Sequence, residues 1–173
     1  MDTYSKEILK ELLPAEKDAA LLAATTSAGQ RKSAAHVAHL DHWSAAVLLE
    51  RAAVLRKLAG LGDGVASETL REYPRHCAML LFRSRDGAAE AHENFADVFY
   101  VLEGHATLVT GGAVAGAARI GRGEIRGSSV EGGARQELRA GDVAHVPAGL
   151  PHQMLLRGEQ TLTCLVMKVR ENP

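Results

Sequence analysis

From about residue 67 onward the chain reads as a series of short apolar and β-branched runs cut by glycine-rich corners: CAMLLFRS, VFYVLEG, ATLVTGG, DVAHVPAG, HQMLLRG and TLTCLVMKV. Runs of this length bounded by turn residues predict short antiparallel strands. Many such strands can bury their faces only by closing on themselves, so the expected architecture is a sandwich or barrel. Glycines gather in the same half, where tight corners need positive backbone angles. Residues 111–136, GGAVAGAARIGRGEIRGSSVEGGARQ, carry the weakest strand signal and are expected to be a long loop with a short hairpin near a barrel mouth. Within that segment GEIRGSSVEGG lacks the Lys-Ser/Thr ending of a phosphate loop and reads as a glycine-rich loop.

Residues 1–65 carry helical signals instead. Ile8, Leu9, Leu12 and Leu13 recur at helical spacing, and Pro14 either ends that helix or opens a second one through Leu21 and Leu22. In DHWSAAVLLERAAVLRKLAGLG, Ser44 suits an N-cap, Leu48, Ala52 and Leu55 share a face, and Gly60 and Gly62 supply the stop. A helix over about 45–59 follows, with Trp43 anchoring its start. The expected organisation is a helical N-terminal extension, residues 1–65, and a mainly β barrel domain, residues 66–173.

Lys and Arg total 20 against 21 Asp and Glu, a formal net charge of -1, and no long block of like charge occurs. Neither nucleic acid nor an anionic membrane surface is the expected partner. Aromatic residues make up 4% of the chain, too few to stack bases or cage a large planar ligand, so a pocket should be small. Cys77 and Cys164 lie in separate strand-like runs with no CxxC spacing and read as buried thiols in a reducing compartment. AALLAATTSAG near the start is too short and too acidic in its approach for a secretory signal, and no run reaches the length of a membrane span. A cytoplasmic location is expected.

The chemistry gathers in EAHENFADVFYVLEG, residues 90–104. Glu90 and His92 are two apart, so on an extended chain they point to one face. Asp97 follows after enough residues for a bend and opens a strand on the face shared with Phe99 and Val101. Val98, Tyr100 and Leu102 share the other face, and both faces are apolar enough to suggest burial. A carboxylate on an inward face is costly unless it is paired or bound to a cation. Further on, GDVAHVPAGLPHQM holds Gly141 and Asp142 for a turn, Pro147 and Gly149 for a second bend, and His152 at the start of the next strand.

These two stretches resemble the cupin superfamily, whose first motif is G(x)5HxH(x)3-4E(x)6G and whose second is G(x)5PxG(x)2H(x)3N. Gly141, Pro147, Gly149 and His152 match the second motif, with Leu156 at the usual Asn position. In the first, His92 takes the second histidine position, Asp97 replaces Glu, Gly104 keeps its spacing, and Glu90 stands where the first histidine belongs. The resemblance implies a double-stranded β-helix, or jelly-roll barrel, over about 67–170. It implies one divalent metal ion (Mn, Fe, Ni or Zn) held by Glu90, His92, Asp97 and His152, and commonly a homodimer. Cupins include enzymes and sensors. The resemblance therefore implies either a mononuclear-metal enzyme of oxygenase, isomerase or lyase type on a small polar molecule, or a non-catalytic binding or sensing module.

Other histidines read as structural. His36, His39 and His42 recur every third residue, which is poor geometry for converging on one point. His105 should be exposed after the Gly104 turn, His145 has no side fixed by the pattern, and Phe99 and Tyr100 should be core.

Overall fold

The computed structural model describes residues 40–171. The expected helices within residues 8–22, and His36 and His39, lie outside that range. From Trp43 onward the chain forms one compact unit.

Helix α1, Ala45–Leu61, starts where the sequence places it, with Ser44 Oγ accepting the Val47 amide hydrogen at 3.3 Å. It runs two residues past the predicted end. Its stop is a pair of amides, Gly62 and Gly64, donating to the Ala59 carbonyl at 3.2 and 3.0 Å. Leu48, Ala52, Leu55 and Ala59 form the buried stripe and pack on Leu80 and Phe82, with Trp43, Leu58 and Leu102 at the margin. Replacing Ser44 by alanine removes the acceptor for an otherwise unpaired amide and should cost about 1 kcal/mol, read as a lowered melting temperature.

The strands are β1 (Val65–Glu72), β2 (His76–Arg83), β3 (Ala89–His92), β4 (Phe95–Thr110), β5 (Ala113–Ala115), β6 (Ala118–Gly121), β7 (Glu124–Gly127), β8 (Ser129–Glu131), β9 (Ala134–Arg139), β10 (Val143–Val146), β11 (His152–Leu155) and β12 (Leu162–Arg170). The 16-residue β4 serves two sheet halves. Its first part lies between β12 and β10, in the order β1-β2-β12-β4-β10. Its second part lies between β9 and β11, in the order β9-β4-β11-β3-β7-β6. The change of partner comes at Gly104, which has φ 79° and whose missing Cβ would sit 1.9 Å from the Thr161 carbonyl oxygen. Only glycine fits there, and the register between β4 and β12 shifts beside it.

The result is a mainly β, double-stranded β-helix barrel with α1 laid on the outside of β1 and β2. Period-two alternation sorts the side chains. On β2, Leu80 and Phe82 face the helix, while Met79 and Leu81 face a barrel core built from Phe99, Val101, Leu108, Val146, Met154 and Leu162.

Three expectations need correction. Tyr100 is 41% exposed, because α1 covers β1 and β2 and leaves the outer face of β4 largely open. Residues 111–136 are mostly strand, because β7 finds backbone partners along β3, and β5 along β8. Both cysteines are free, but only Cys164 is fully buried, with its thiol pushed up to about 12 by burial, while Cys77 is half-buried.

Candidate metal centre

Cross-strand register assembles the site. His152 on β11 lies opposite Glu90 on β3, and His92 on β3 lies opposite Glu124 on β7. Asp97, near the start of β4, lies opposite Lys168 on β12. Residues directly opposite on neighbouring strands have close Cβ atoms, so residues distant in sequence meet without any loop having to reach. The loop of the second motif is tied to the first by the Gly149 amide, which donates to the His92 carbonyl at 2.8 Å.

Glu90, His92, Asp97 and His152 each offer one ligand atom, and these four atoms lie within 4.8 Å of one another. The group could hold a metal ion. His92, Asp97 and His152 are each 2% exposed, whereas Glu90 is half-buried. His92 Nε2 lies 3.3 Å from Asp97 Oδ2 and 3.7 Å from Glu90 Oε2. His152 Nε2 lies 3.5 Å from Glu90 Oε1 and 3.6 Å from Asp97 Oδ2. Those separations are too long for good hydrogen bonds, and His152 Nε2 is buried with no close partner.

Both imidazoles are oriented from behind. His92 Nδ1 is 2.7 Å from Glu124 Oε2, and His152 Nδ1 is 3.0 Å from the Leu150 carbonyl oxygen. A carboxylate or carbonyl oxygen can only accept, so each Nδ1 carries the hydrogen and each Nε2 faces the cluster. This backing by a carboxylate or carbonyl is what fixes a metal-binding histidine's tautomer and ring angle. With an orphaned buried Nε2 and two carboxylates beside it, the residues fit a divalent cation.

Charge makes the cluster a strongly coupled one. Burial alone would lower the His152 pKa, but the Asp97 and Glu90 carboxylates that face its ring favour the charged form, outweigh burial and push it up to about 9. Burial opposes ionisation of Asp97, yet His152, His92 and Lys168 together hold its carboxyl well below the usual range. Glu90 is likewise lowered against burial, by His152 and Arg126. In metal-free protein the His152 contribution is complete below about pH 6.5 and is lost as pH rises through about 9. The Asp97 contribution runs the other way and is lost only in strong acid. Urea midpoints measured with a chelator present should therefore fall from pH 6.5 to 9, and a flat profile there would show that the raised His152 value is wrong.

Three site residues were not singled out in the sequence. Lys168 Nζ donates to Asp97 Oδ1 and Oδ2 at 2.6 and 2.9 Å and lies 2.9 Å from His92 Nε2. Its signal was available: by period two it shares a strand face with the apolar Leu162, Cys164 and Val166. Glu124 and Arg126, the latter 3.0 Å from Glu90 Oε2, lie in the segment expected to be loop. Phe99 does reach the site, its ring 6.3 Å from that of His152. His145 points outward to Glu171 at 3.6 Å, and His42 and His105 are exposed.

No family model matches the sequence, and a search of curated proteins returns no match. Among solved structures, the chain is similar to TT1209 from Thermus thermophilus at 21% identity, aligning 62% of this chain with 85% of that one at a TM-score of 0.46. The Cnp3 cupin domain of Schizosaccharomyces pombe aligns at 11% identity, 62% of this chain with 65% of that one, TM-score 0.47. The DMSP lyase DddQ from Ruegeria pomeroyi aligns at 17% identity and TM-score 0.47 over 63% of this chain, which spans about half of that chain's length, 48%. Both motifs of the resemblance line one barrel, the shared strand β4 joins its two sheet halves, and a single cluster gathers the motif side chains: the chain has the cupin fold.

Proposed function

We propose that this chain is a mononuclear-metal cupin acting on a small polar molecule in the barrel lumen, with Glu90, His92, Asp97 and His152 as the ligands. The observation that carries this reading is the convergence of four ligand atoms within 4.8 Å, with both imidazoles backed by acceptors at Nδ1. The mixed nitrogen and oxygen set suits Mn, Fe(II), Ni or Zn alike. A bound divalent ion would supply a Lewis acid that orients and polarises an oxygen of the ligand. The chain's own side chains do the rest. Glu124 and the Leu150 carbonyl hold the rings in place, Phe99 and Met154 keep the inner wall apolar, and Arg126 balances Glu90.

The reaction would be of oxygenase, isomerase or lyase type. A non-catalytic binding or sensing role is the second reading, favoured by Lys168, which already pairs with Asp97 and so lets the cluster persist without an ion. We expect a homodimer with no nucleic-acid or membrane partner. Tyr100 and Val143, paired across β4 and β10 and 41% and 65% exposed, give an apolar outer face on which a second copy could pack. Among the described residues no helix is long and apolar enough to cross a membrane.

The test is metal analysis of untagged protein reconstituted in turn with Mn, Fe, Ni and Zn. Close to one ion per chain supports the reading, and less than about 0.2 with every metal ends it. Turnover of small hydroxy, keto or carboxylic acids by the loaded protein then separates the enzyme from the sensor.

A further inference from the structure

Lys168 is in the place a cation would take. Its Nζ contacts both oxygens of Asp97 and the Nε2 of His92, which are atoms a metal would need. Asp97 has lone pairs to spare. His92 does not, because its Nδ1 carries the hydrogen that Glu124 accepts, leaving one lone pair at Nε2. A lone pair accepting from an ammonium cannot also bind a metal, and a divalent ion next to an ammonium adds repulsion between like charges.

Resting on the metal reading of this site, we propose that Lys168 is a built-in occupant of the cluster, and that metal loading expels its ammonium from His92 and Asp97 into the lumen. The fold permits this exchange. Lys168 lies two residues from the end of β12, its side chain is 25% exposed, and its four-carbon stem can swing without moving the strand. Asp97 and His92 are each 2% exposed and held by their strands, so the lysine is the partner that moves. The exchange keeps a buried carboxylate paired at every stage, since Asp97 has an ammonium before loading and an ion after it. It also leaves a primary amine beside the loaded centre, a group that the metal-free site keeps tied up.

Two measurements test this on the full chain. Calorimetric titration with Zn should show roughly tenfold or tighter binding to Lys168→Leu than to the unaltered protein, because no internal cation has to leave. Reductive methylation of the unaltered protein with formaldehyde and cyanoborohydride, quantified by mass spectrometry, should label Lys168 severalfold more when Zn is bound. The labelling needs no variant, so it decides the matter even if Lys168→Leu folds poorly. Equal or weaker Zn binding by a variant whose circular dichroism matches the unaltered protein, or labelling of Lys168 that is unchanged or reduced by Zn, overturns the exchange while leaving the metal site standing. Zn binding by the variant alone overturns the exchange, because the natural chain then never loads, and ends the metal reading for that chain. Binding by neither protein overturns both.

Discussion

Replacing His152 by alanine should take the reconstituted protein from near one metal ion per chain to below about 0.2, with the barrel intact. His152 is the only contribution of the second motif to the cluster, and its Nε2 is the buried polar atom of the site that lacks a close partner. Among the described residues the cluster has no other imidazole on the β11 side, so no neighbour replaces the lost donor. Glu90→Ala should also lose most of the metal. Because Glu90 stands at a position where the resembled motif has histidine, retention by that variant would make it a lumen acid and not a ligand. Glu124→Ala sets the scale: it removes the support behind His92 but no donor, and should weaken binding about 10- to 100-fold. Elemental analysis and calorimetry on the three variants separate these roles. Stoichiometric metal in His152→Ala, with circular dichroism unchanged, would show that the four residues do not act as a ligand set.

Those four residues were legible because the motif spacing encodes local geometry. Glu90 and His92 share a strand face by period two, and Gly149 and Pro147 bend the chain so that His152 opens β11. Helix α1 was legible for the same reason: cap, stripe and stop are all local. What escaped was set by register. Lys168 meets Asp97, and Glu124 meets His92, only because β12 pairs β4 and β7 pairs β3, and no short window contains either pair. The segment around Glu124 read as loop because its glycines outweigh its apolar residues. Those glycines answer to different needs. Gly123, at φ 78°, serves a turn, whereas Gly127 answers to space, since its Cβ would lie 2.3 Å from the Ala115 carbonyl oxygen. Tyr100 was misjudged because alternation tells which residues share a face and not what covers that face.

Removing the Asp97 carboxylate should cost the metal-free protein more stability than removing any other side chain of the cluster. Asp97 is 2% exposed and receives both short contacts from Lys168, and His92 and His152 lean on it as well. Deleting one partner of a buried pair leaves the other's charge stranded, and the expected cost of Asp97→Ala in chelator is about 3 kcal/mol, nearer the lower end because Lys168 is 25% exposed. Deleting both partners is a different matter. An Asp97→Ala, Lys168→Leu double variant removes the stranded ammonium and gives the lumen more apolar surface, so it should recover roughly half or more of the loss. Urea denaturation of the two single variants and the double variant measures the coupling directly. If Asp97→Ala costs less than about 0.5 kcal/mol, or if the two losses simply add, Lys168 and Asp97 are not a coupled pair in solution.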